Sequence, residues 1–288
     1  MQGKIIKNRY FKNTSLDYSI ERLKKCFLDK GVKIDTFDSV AMLPLDPAQL
    51  KCDAAIMLDK DKSLATWLEK QNIQVFNSSH SIEICDNKFF TYLEVVKLEG
   101  VKIVPTISSP KQFLSVNKAD TAFLDLVVKQ LSFPLVVKKC SSSLGENLFL
   151  VKDYTELKKA HLALSGIEHI YQKYLGEFGS DIRVYTVGGQ AVACCKRTNE
   201  TSFISNVEKG GKVSHYELSQ ELKQIAELIA KQLKLDFGSI DFLLEKNKKS
   251  NKVNYIFLEA NSNAFFKGLE SLGYSIAEKI VEYICKKF

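Results

Sequence analysis

Between residues 239 and 261 the chain reads SIDFLLEKNKKSNKVNYIFLEAN, and its fold is decided here. Two apolar runs, Ser239 to Leu244 and Asn254 to Leu258, have the length and composition of β-strands. The lysine-rich segment Lys246 to Lys252 between them reads as a solvated hairpin loop. Each run carries an acid where an acid is costly. Asp241 lies inside the first, Glu259 ends the second, and Asn261 follows two positions later. A carboxylate in an apolar strand is unfavourable unless it is paired, hydrogen-bonded or metal-bound. Strand alternation sets Glu259 and Asn261 on one face, and pairing of the two strands brings Asp241 beside them. Two carboxylates and an amide oxygen suit a hard cation such as Mg²⁺, which shares oxygen ligands with phosphates. The same residues also admit a plainer reading, in which the carboxylates are buried and hydrogen-bonded to their neighbours.

Upstream, the first 85 residues alternate strand and helix signals. Strands are expected near Lys4 to Ile6, Val32 to Phe37, Ala54 to Leu58 and Ile73 to Phe76. Leu16, Ile20, Leu23 and Phe27 recur at helical spacing, and Leu64, Trp67 and Leu68 mark a second helix. Such alternation implies a parallel, Rossmann-like sheet over residues 1–85. It has no Gly-x-Gly-x-x-Gly, so no dinucleotide site is expected there.

Residues 86–288 have a different, mixed α/β and α+β pattern. A helix is expected from Asp86, as N-cap, to about Leu98. A strand follows over Val101 to Val104, and a helix over Asp120 to Leu131. Phe133 to Lys139 is a strand, residues 140–147 a small-residue loop, and Leu148 to Val151 another strand. Asp153 with Glu156 resembles a capping box for the next helix. His169 to Tyr174 is a strand, and Gly188-Gly189 joins two more as a hairpin. Helices are expected over 218–234 and 275–286.

Composition narrows the function classes. Hydrophobic residues are 45% and charged residues 26% of the 288, an ordinary globular balance. No run approaches the roughly 18 apolar residues of a membrane span, and Met1 to Phe11 lacks the apolar core of a secretory signal. Seven cysteines without a Cys-x-x-Cys argue against a disulfide framework or zinc site and for a reducing cytoplasm. The four histidines have no metal-ligand spacing. The net charge of +7 is spread along the chain, which disfavours nucleic acid and is compatible with phosphorylated or acidic ligands.

Several cations accompany the acids. Lys138 ends a strand and precedes the small-residue loop containing Ser143, an arrangement that can hold phosphates through a point charge, amides and hydroxyls. Arg183 begins one hairpin strand, and Lys196 and Arg197 end its partner, followed by Ser205, Asn206 and the Lys-Gly-Gly-Lys turn at 209–212. Each alone would be satisfied by ordinary surface pairing. Converging on one centre, they would stabilise charge moving in a phosphoryl transfer.

The order of these pieces resembles the ATP-grasp ligases, in the branch of ribosomal protein S6 glutamate ligase (RimK-type) and the amino-group-carrier ligases of lysine biosynthesis. The likeness covers residues 86–288, in subdomains of about 86–170 and 171–288. Residues 1–85 resemble the small domain that precedes ATP-grasp in this branch. Asp86-Asn87-Lys88 resembles the family's start, where a lysine contacts nucleotide. Pro134 to Lys138 resembles the strand whose lysine binds phosphates, and Gln172-Lys173-Tyr174-Leu175 the hinge that meets adenine through its backbone. Asp181-Ile182-Arg183 and the segment from Lys196-Arg197 to Ser205-Asn206 resemble nucleotide-site and γ-phosphate motifs. Asp241, Glu259 and Asn261 fall at the family's magnesium positions, and Phe266 to Glu270 is similar to the lysine-biosynthesis members.

The resemblance implies ATP and Mg²⁺ as cofactors, with Mn²⁺ able to replace magnesium. It implies Arg183, Arg197 and Asn206 in a catalytic role. It further implies a carboxylate activated as an acyl phosphate and captured by an amine, such as that of L-glutamate, on a peptide, protein or amino-acid derivative. A homo-oligomer is compatible with it. A small-metabolite ligase and a degenerate nucleotide-binding regulator are the alternatives. Departures from the family pattern are Ser142 to Gly145 in the phosphate loop, Lys173 for a hinge glutamate, Ile204 for an arginine, and Asn263-Ala264-Phe265 for Ser-Pro-Gly.

Overall fold

The N-terminal alternation resolves into a parallel sheet covered on both faces. The computed structural model describes residues 2–39, 51–112, 116–142, 145–246 and 253–287. Within it β1 (Gly3–Lys7), α1 (Thr14–Asp29), β2 (Ile34–Asp38), β3 (Ala54–Met57), α2 (Lys62–Lys70) and β4 (Gln74–Phe76) follow in turn. The strands lie in the order β2-β1-β3-β4, all parallel. Ile5, Ala54 and Ile56 face one way, towards α1, and Ile6, Ala55 and Met57 the other, towards α2. Such double burial is what a parallel sheet requires. α1 starts where the Asn13 side chain accepts from the amides of Ser15 and Leu16, and it buries Leu16, Ile20, Leu23 and Phe27, the stripe read from their spacing.

Two helices follow, α3 (Ser79–Asp86), which the sequence did not announce, and α4 (Lys88–Val95), which is the helix expected from Asp86 to about Leu98. The break falls at Asn87, whose backbone is extended and whose side chain accepts from the amides of Phe89 and Phe90. Asp86 is therefore not the cap but the last residue of α3. Only Ser81, Ile82 and Cys85 of α3 are buried, too few positions to announce a helix by periodicity.

The chain continues through β5 (Lys102–Ile103), β6 (Thr106–Ser108), α5 (Thr121–Leu131), β7 (Leu135–Lys139), β8 (Leu148–Val151), α6 (Tyr154–Ala163) and β9 (His169–Lys173). These give an antiparallel sheet in the order β6-β9-β7-β8. Leu135 and Val137 enter a core with Leu124, Val127, Leu157 and Ala160 of α5 and α6. Alternation then turns Val136 and Lys138 to the opposite face. The expected capping box is shifted by one residue: Asp153 accepts from the Glu156 amide, but Glu156 accepts from the amide of Lys152.

The last elements are β10 (Ser180–Val187), β11 (Gln190–Thr198), β12 (Lys212–His215), α7 (Gln220–Gln232), β13 (Phe237–Lys246), β14 (Val253–Asn261), α8 (Lys267–Glu270) and α9 (Ile276–Cys285). They form a sheet ordered β12-β11-β10-β13-β14-β5. Gly188 and Gly189 join β10 to β11 with φ of 58° and 74°, the double left-handed turn expected of that pair. At Gly188 an added Cβ would also lie 2.6 Å from the Tyr283 ring. The expected lysine-rich loop lies, from residue 247 to 252, outside the described residues. On β10, Ile182 and Val184 pack with Leu222, Ala226 and Ile229 of α7. Alternation sends Asp181, Arg183, Tyr185 and Val187 to the other face, where the two apolar residues join a core with α9. That core also holds α1, β1 and β3, so the last helix of the chain completes the layer over the first sheet.

Candidate active site

Strand register builds a row of charge across the larger sheet. Glu259 of β14 opposes Asp241 of β13, Asp241 opposes Arg183 of β10, and Asp181 of β10 opposes Arg197 of β11. Directly opposed residues on one sheet face are in contact range. Arg183 binds Asp241 through two bonds, Nε to Oδ1 at 2.9 Å and Nη2 to Oδ2 at 2.7 Å. Arg197 grips Asp181 in the same way, at 2.7 and 2.5 Å, and its Nη2 also reaches Asp241 at 3.0 Å. Ser205 donates its hydroxyl to Asp181 at 2.6 Å. Burial works against the charge of Arg197, and Asp181 and Asp241 outweigh it, so the guanidinium stays protonated.

Asp241 was expected to present its oxygens to a metal. Its side chain is fully buried and both oxygens are held by arginines. Asp181 and Ser205, expected at the nucleotide, line the apolar slot between the two sheets while engaged with each other and with Arg197. Asp241 braces the two arginines from behind.

Glu259 and Asn261 face open space. A bulge at Asp241/Phe242 shifts the β13–β14 register, so Phe242 pairs with Phe257 and Leu258 is the extra residue. A bulge re-aims side chains, and here Leu258 and Glu259, adjacent in sequence, line one cavity. That cavity, about 100 Å³, is a slot between β7 and β9 on one side and β13 and β14 on the other. Val104, Val136, Leu148, Leu243 and Leu258 make it apolar, and Gln172, Lys173, Tyr174 and Leu175 line its hinge. The amides of Lys173 and Tyr174 already donate to the carbonyls of Pro105 and Pro134, and the Gln172 side chain donates to Thr106. Lys138 and Arg197 stand at the polar end of the slot.

A second cavity, about 260 Å³, adjoins it and is lined by Lys88, Arg183, Asn261 and Asn263, with Asn8, Phe11, Leu58 and Asp59 from the N-terminal sheet. Leu148, Asn206 and Glu259 line both cavities and mark where they meet. Electrostatics converge at this junction. Burial pushes Glu259 up, but Lys88, Lys138, Arg197 and Arg183 together hold its carboxyl well below the usual range. Burial brings Lys138 down to about 8, with Glu259 opposing and Lys88 reinforcing. Lys88 donates to the Ser142 carbonyl at 2.7 Å and so fixes the start of the loop after β7. Ser143 lies outside the described residues.

Lys196 is drawn aside, paired with Glu177 at 3.0 Å. A residue not singled out in the sequence, Asn199, organises the path from β11 to Asn206. It donates to the carbonyls of Ile204 and Lys209 and accepts from the amides of Thr201 and Ser202. The apolar walls of the slot were also not anticipated, since a valine or leucine in a strand carries no sign of which cavity it borders.

A slot and a charged cavity thus meet at one carboxylate between two sheets. The profile described as RimK-like ATP-grasp domain matches residues 85–284. The chain belongs to the RimK-like ATP-grasp family. It is an ATP-dependent carbon–nitrogen ligase. Among its relatives in that family is an uncharacterized protein of Mycoplasma pneumoniae, 33% identical over 218 residues, 74% of this chain and 73% of that one. Another is glutamate–LysW ligase ArgX of Sulfurisphaera tokodaii, 30% identical over 258 residues, 85% of this chain and 86% of the relative. The ATP-grasp ligase PsnB, solved with a phosphomimetic variant of its minimal precursor, Mg and ADP, superposes with a TM-score of 0.69 at 15% identity, covering 99% of this chain and 98% of that one. At that identity PsnB speaks for the ATP-grasp fold. No helix among the described residues is long and apolar enough to cross a membrane.

Proposed function

We propose that this ligase activates a carboxylate of a peptide, protein or amino-acid derivative as its acyl phosphate and joins it to the amine of an amino acid such as L-glutamate. The observation that carries this reading is the junction at Glu259 and Asn206, where a slot with apolar walls meets a polar cavity. ATP enters the slot with its base at the hinge. Since the amides of residues 173 and 174 are spent, the hinge donor to the base is the amide of Leu175. Lys138 and Lys88 carry the phosphate charge, with Arg197 at the end of the slot and Arg183 in the second cavity.

The donor set fits magnesium through Glu259 and Asn261, which offer a carboxylate and an amide oxygen to the open cavity. Asp241 stands behind them on its arginines. Magnesium, when bound, supplies charge neutralisation at the transferring phosphate. In the first step the substrate carboxylate oxygen bonds to the γ-phosphorus and the β–γ bridging bond breaks, releasing ADP. In the second the amine nitrogen bonds to the acyl carbon, phosphate leaves and the nitrogen loses a proton. No enzyme nucleophile takes part, and the chain contributes positioning and cations that resist reorganisation.

Relatives named as glutamate ligases support the amino-acid choice. We further infer a small domain over 1–85 ahead of an ATP-grasp region over 86–288, and a cytoplasmic location for a chain whose seven cysteines are all free thiols. The test is incubation with ATP, Mg²⁺ and pools of amino acids and peptides, with ADP release and product mass as readouts. An amide product heavier by one amino-acid residue is expected. Glu259→Gln should lower turnover about a thousandfold, the scale of losing a charge-stabilising group. Tight ATP binding without product from any pool would favour a nucleotide-binding regulator instead.

A further inference from the structure

The amine-capture step leaves a proton to be placed. An amino-acid amine is mostly an ammonium near neutral pH, and its nitrogen cannot bond to carbon until one proton has gone. The carboxylates at the junction are ill suited to take it. Glu259 is held ionised by four cations, and Asp181 and Asp241 are bound to arginines.

The first sheet supplies another carboxylate. Its strand order, β2-β1-β3-β4, reverses between β1 and β3. α1 follows β1 over one face and α2 follows β3 over the other. A crevice therefore opens at the carboxyl ends of these two strands, the place where open parallel sheets bind ligands. Asn8 directly follows β1, and Leu58 and Asp59 directly follow β3. All three line the cavity of about 260 Å³ that also holds Glu259 and Asn261.

Asp59 is partly buried there. Its Oδ1 accepts from the Lys60 amide at 2.7 Å, while its Oδ2 is buried with no hydrogen-bond partner among the described residues. A buried carboxylate oxygen without a donor is unfavourable, and a donor brought to it is held. Burial pushes the Asp59 carboxyl up, and the Lys60 amide and the nearby Ser39 and Asn8 side chains draw it back without cancelling the rise. Glu259 is shifted the other way. The remaining carboxylate lining the cavity, Glu208, is exposed on the turn after Asn206.

We propose that Asp59 is a catalytic residue of the amine-capture step, receiving the amine at Oδ2 and taking its proton. The amine nitrogen bonds to the acyl carbon, and the bond from that carbon to the phosphate oxygen breaks. Phosphate leaves with the electron pair, and the proton passes from nitrogen to the Asp59 carboxylate and on to solvent with product release. The proposal rests on the ligase reading for the acyl phosphate. Phe11 and Phe265, their rings stacked 6.0 Å apart, line the same cavity and restrict water that would hydrolyse that intermediate.

The test separates the two steps by nucleophile. Hydroxylamine is largely uncharged near neutral pH and captures acyl phosphates as hydroxamates without a base. The full chain is given ATP, Mg²⁺ and a pool of N-acetylated amino acids and peptides, with either L-glutamate or hydroxylamine as the amine. Asp59→Asn should lower amide formation about a hundredfold or more, the scale of general-base catalysis, with hydroxamate formation within about threefold of wild type. Asp59→Glu, which keeps a carboxylate, should recover about tenfold of the lost amide rate, and Glu208→Gln should change neither product by more than about threefold. Equal loss of both products in Asp59→Asn, an undiminished amide rate there, or a selective loss of amide in Glu208→Gln would each overturn the assignment. If Asp59→Asn does not bind ADP, Asp59→Glu decides. A slower amide step beside a wild-type hydroxamate step supports the role, and an equal change in both overturns it. Absence of both products from the wild-type protein would remove the ligase reading itself, and with it the step that Asp59 serves.

Discussion

At the scale of single residues, the acids of the site divide into two kinds. Glu259 is open to both cavities and held ionised by four cations. Asp241 is sealed and serves two arginines. Replacing a buried partner strands the charges it balanced, at a cost of about 3–5 kcal/mol. Asp241→Asn should therefore lower the unfolding free energy by about 3 kcal/mol, read as a shifted urea midpoint, besides reducing turnover. A variant with wild-type stability would mean that Asp241 is not the keystone of the arginine pair. Much of this site was legible in sequence. An acid in an apolar strand needs a partner, and the positions of Glu259, Asn261 and Lys138 followed from strand ends. The identity of Asp241's partners was not legible, because Arg183 and Arg197 arrive from strands 58 and 44 residues away. Asp241 taken alone leaves metal ligand and paired carboxylate equally open, and the three groups on paired strands favour metal; in the structure both Asp241 oxygens are held by Arg183 and Arg197.

At the scale of elements, legibility followed burial and turn chemistry. α1 and α7 were readable because each buries a full apolar stripe. The β10–β11 hairpin was readable because two consecutive glycines supply a backbone that other residues resist. β6, α3 and β12 were not. β6 has three partly buried residues directly after a proline, α3 has little apolar surface, and β12 is largely exposed at the sheet edge. β9 and α6 carry a polar knot that no periodicity reveals. His161 Nδ1 and Tyr171 Oη lie 2.5 Å apart, and His169 Nε2 lies 2.8 Å from the same hydroxyl. Burial holds both histidines below their ordinary value of 6.5. The unfolded chain then takes up protons before the folded one as pH falls through about 6.5, so stability present at pH 7 is lost on acidification. The urea midpoint should fall between pH 7 and pH 5.5, and His161→Leu should reduce that fall whatever it does at pH 7. An equal pH dependence in the variant would place the titration elsewhere.

At the scale of the whole molecule, the site depends on how the first sheet is held against the larger one. The shared core of α1, β1, β3 and α9 supplies the apolar part of that joint, which is why the last helix is needed by the first sheet. Asn77, immediately after β4, supplies the polar part. Its side chain is fully buried and donates to the carbonyls of Phe237 and Ser262, at 2.8 and 2.7 Å. It accepts from the amides of Asp236 and Phe237, at 2.7 and 3.2 Å. One amide thus ties β4 to the start of β13 and to the residue after Asn261. Truncation would orphan buried backbone groups at about 1–3 kcal/mol each, so Asn77→Ala should cost about 3 kcal/mol in total, after some relaxation. The loss should also be local to the joint. Trp67, the single tryptophan, sits on α2 against the first sheet and reports that sheet by fluorescence, while circular dichroism averages the chain. In the wild type the two urea transitions should coincide, because the sheets share a core. In Asn77→Ala the fluorescence transition should come first, as the first sheet separates while the larger sheet stays folded. Turnover should fall with it, since Asn8, Phe11, Leu58 and Asp59 leave the cavity at Glu259. Coincident transitions at the wild-type midpoint would show that the apolar core alone holds the two sheets together.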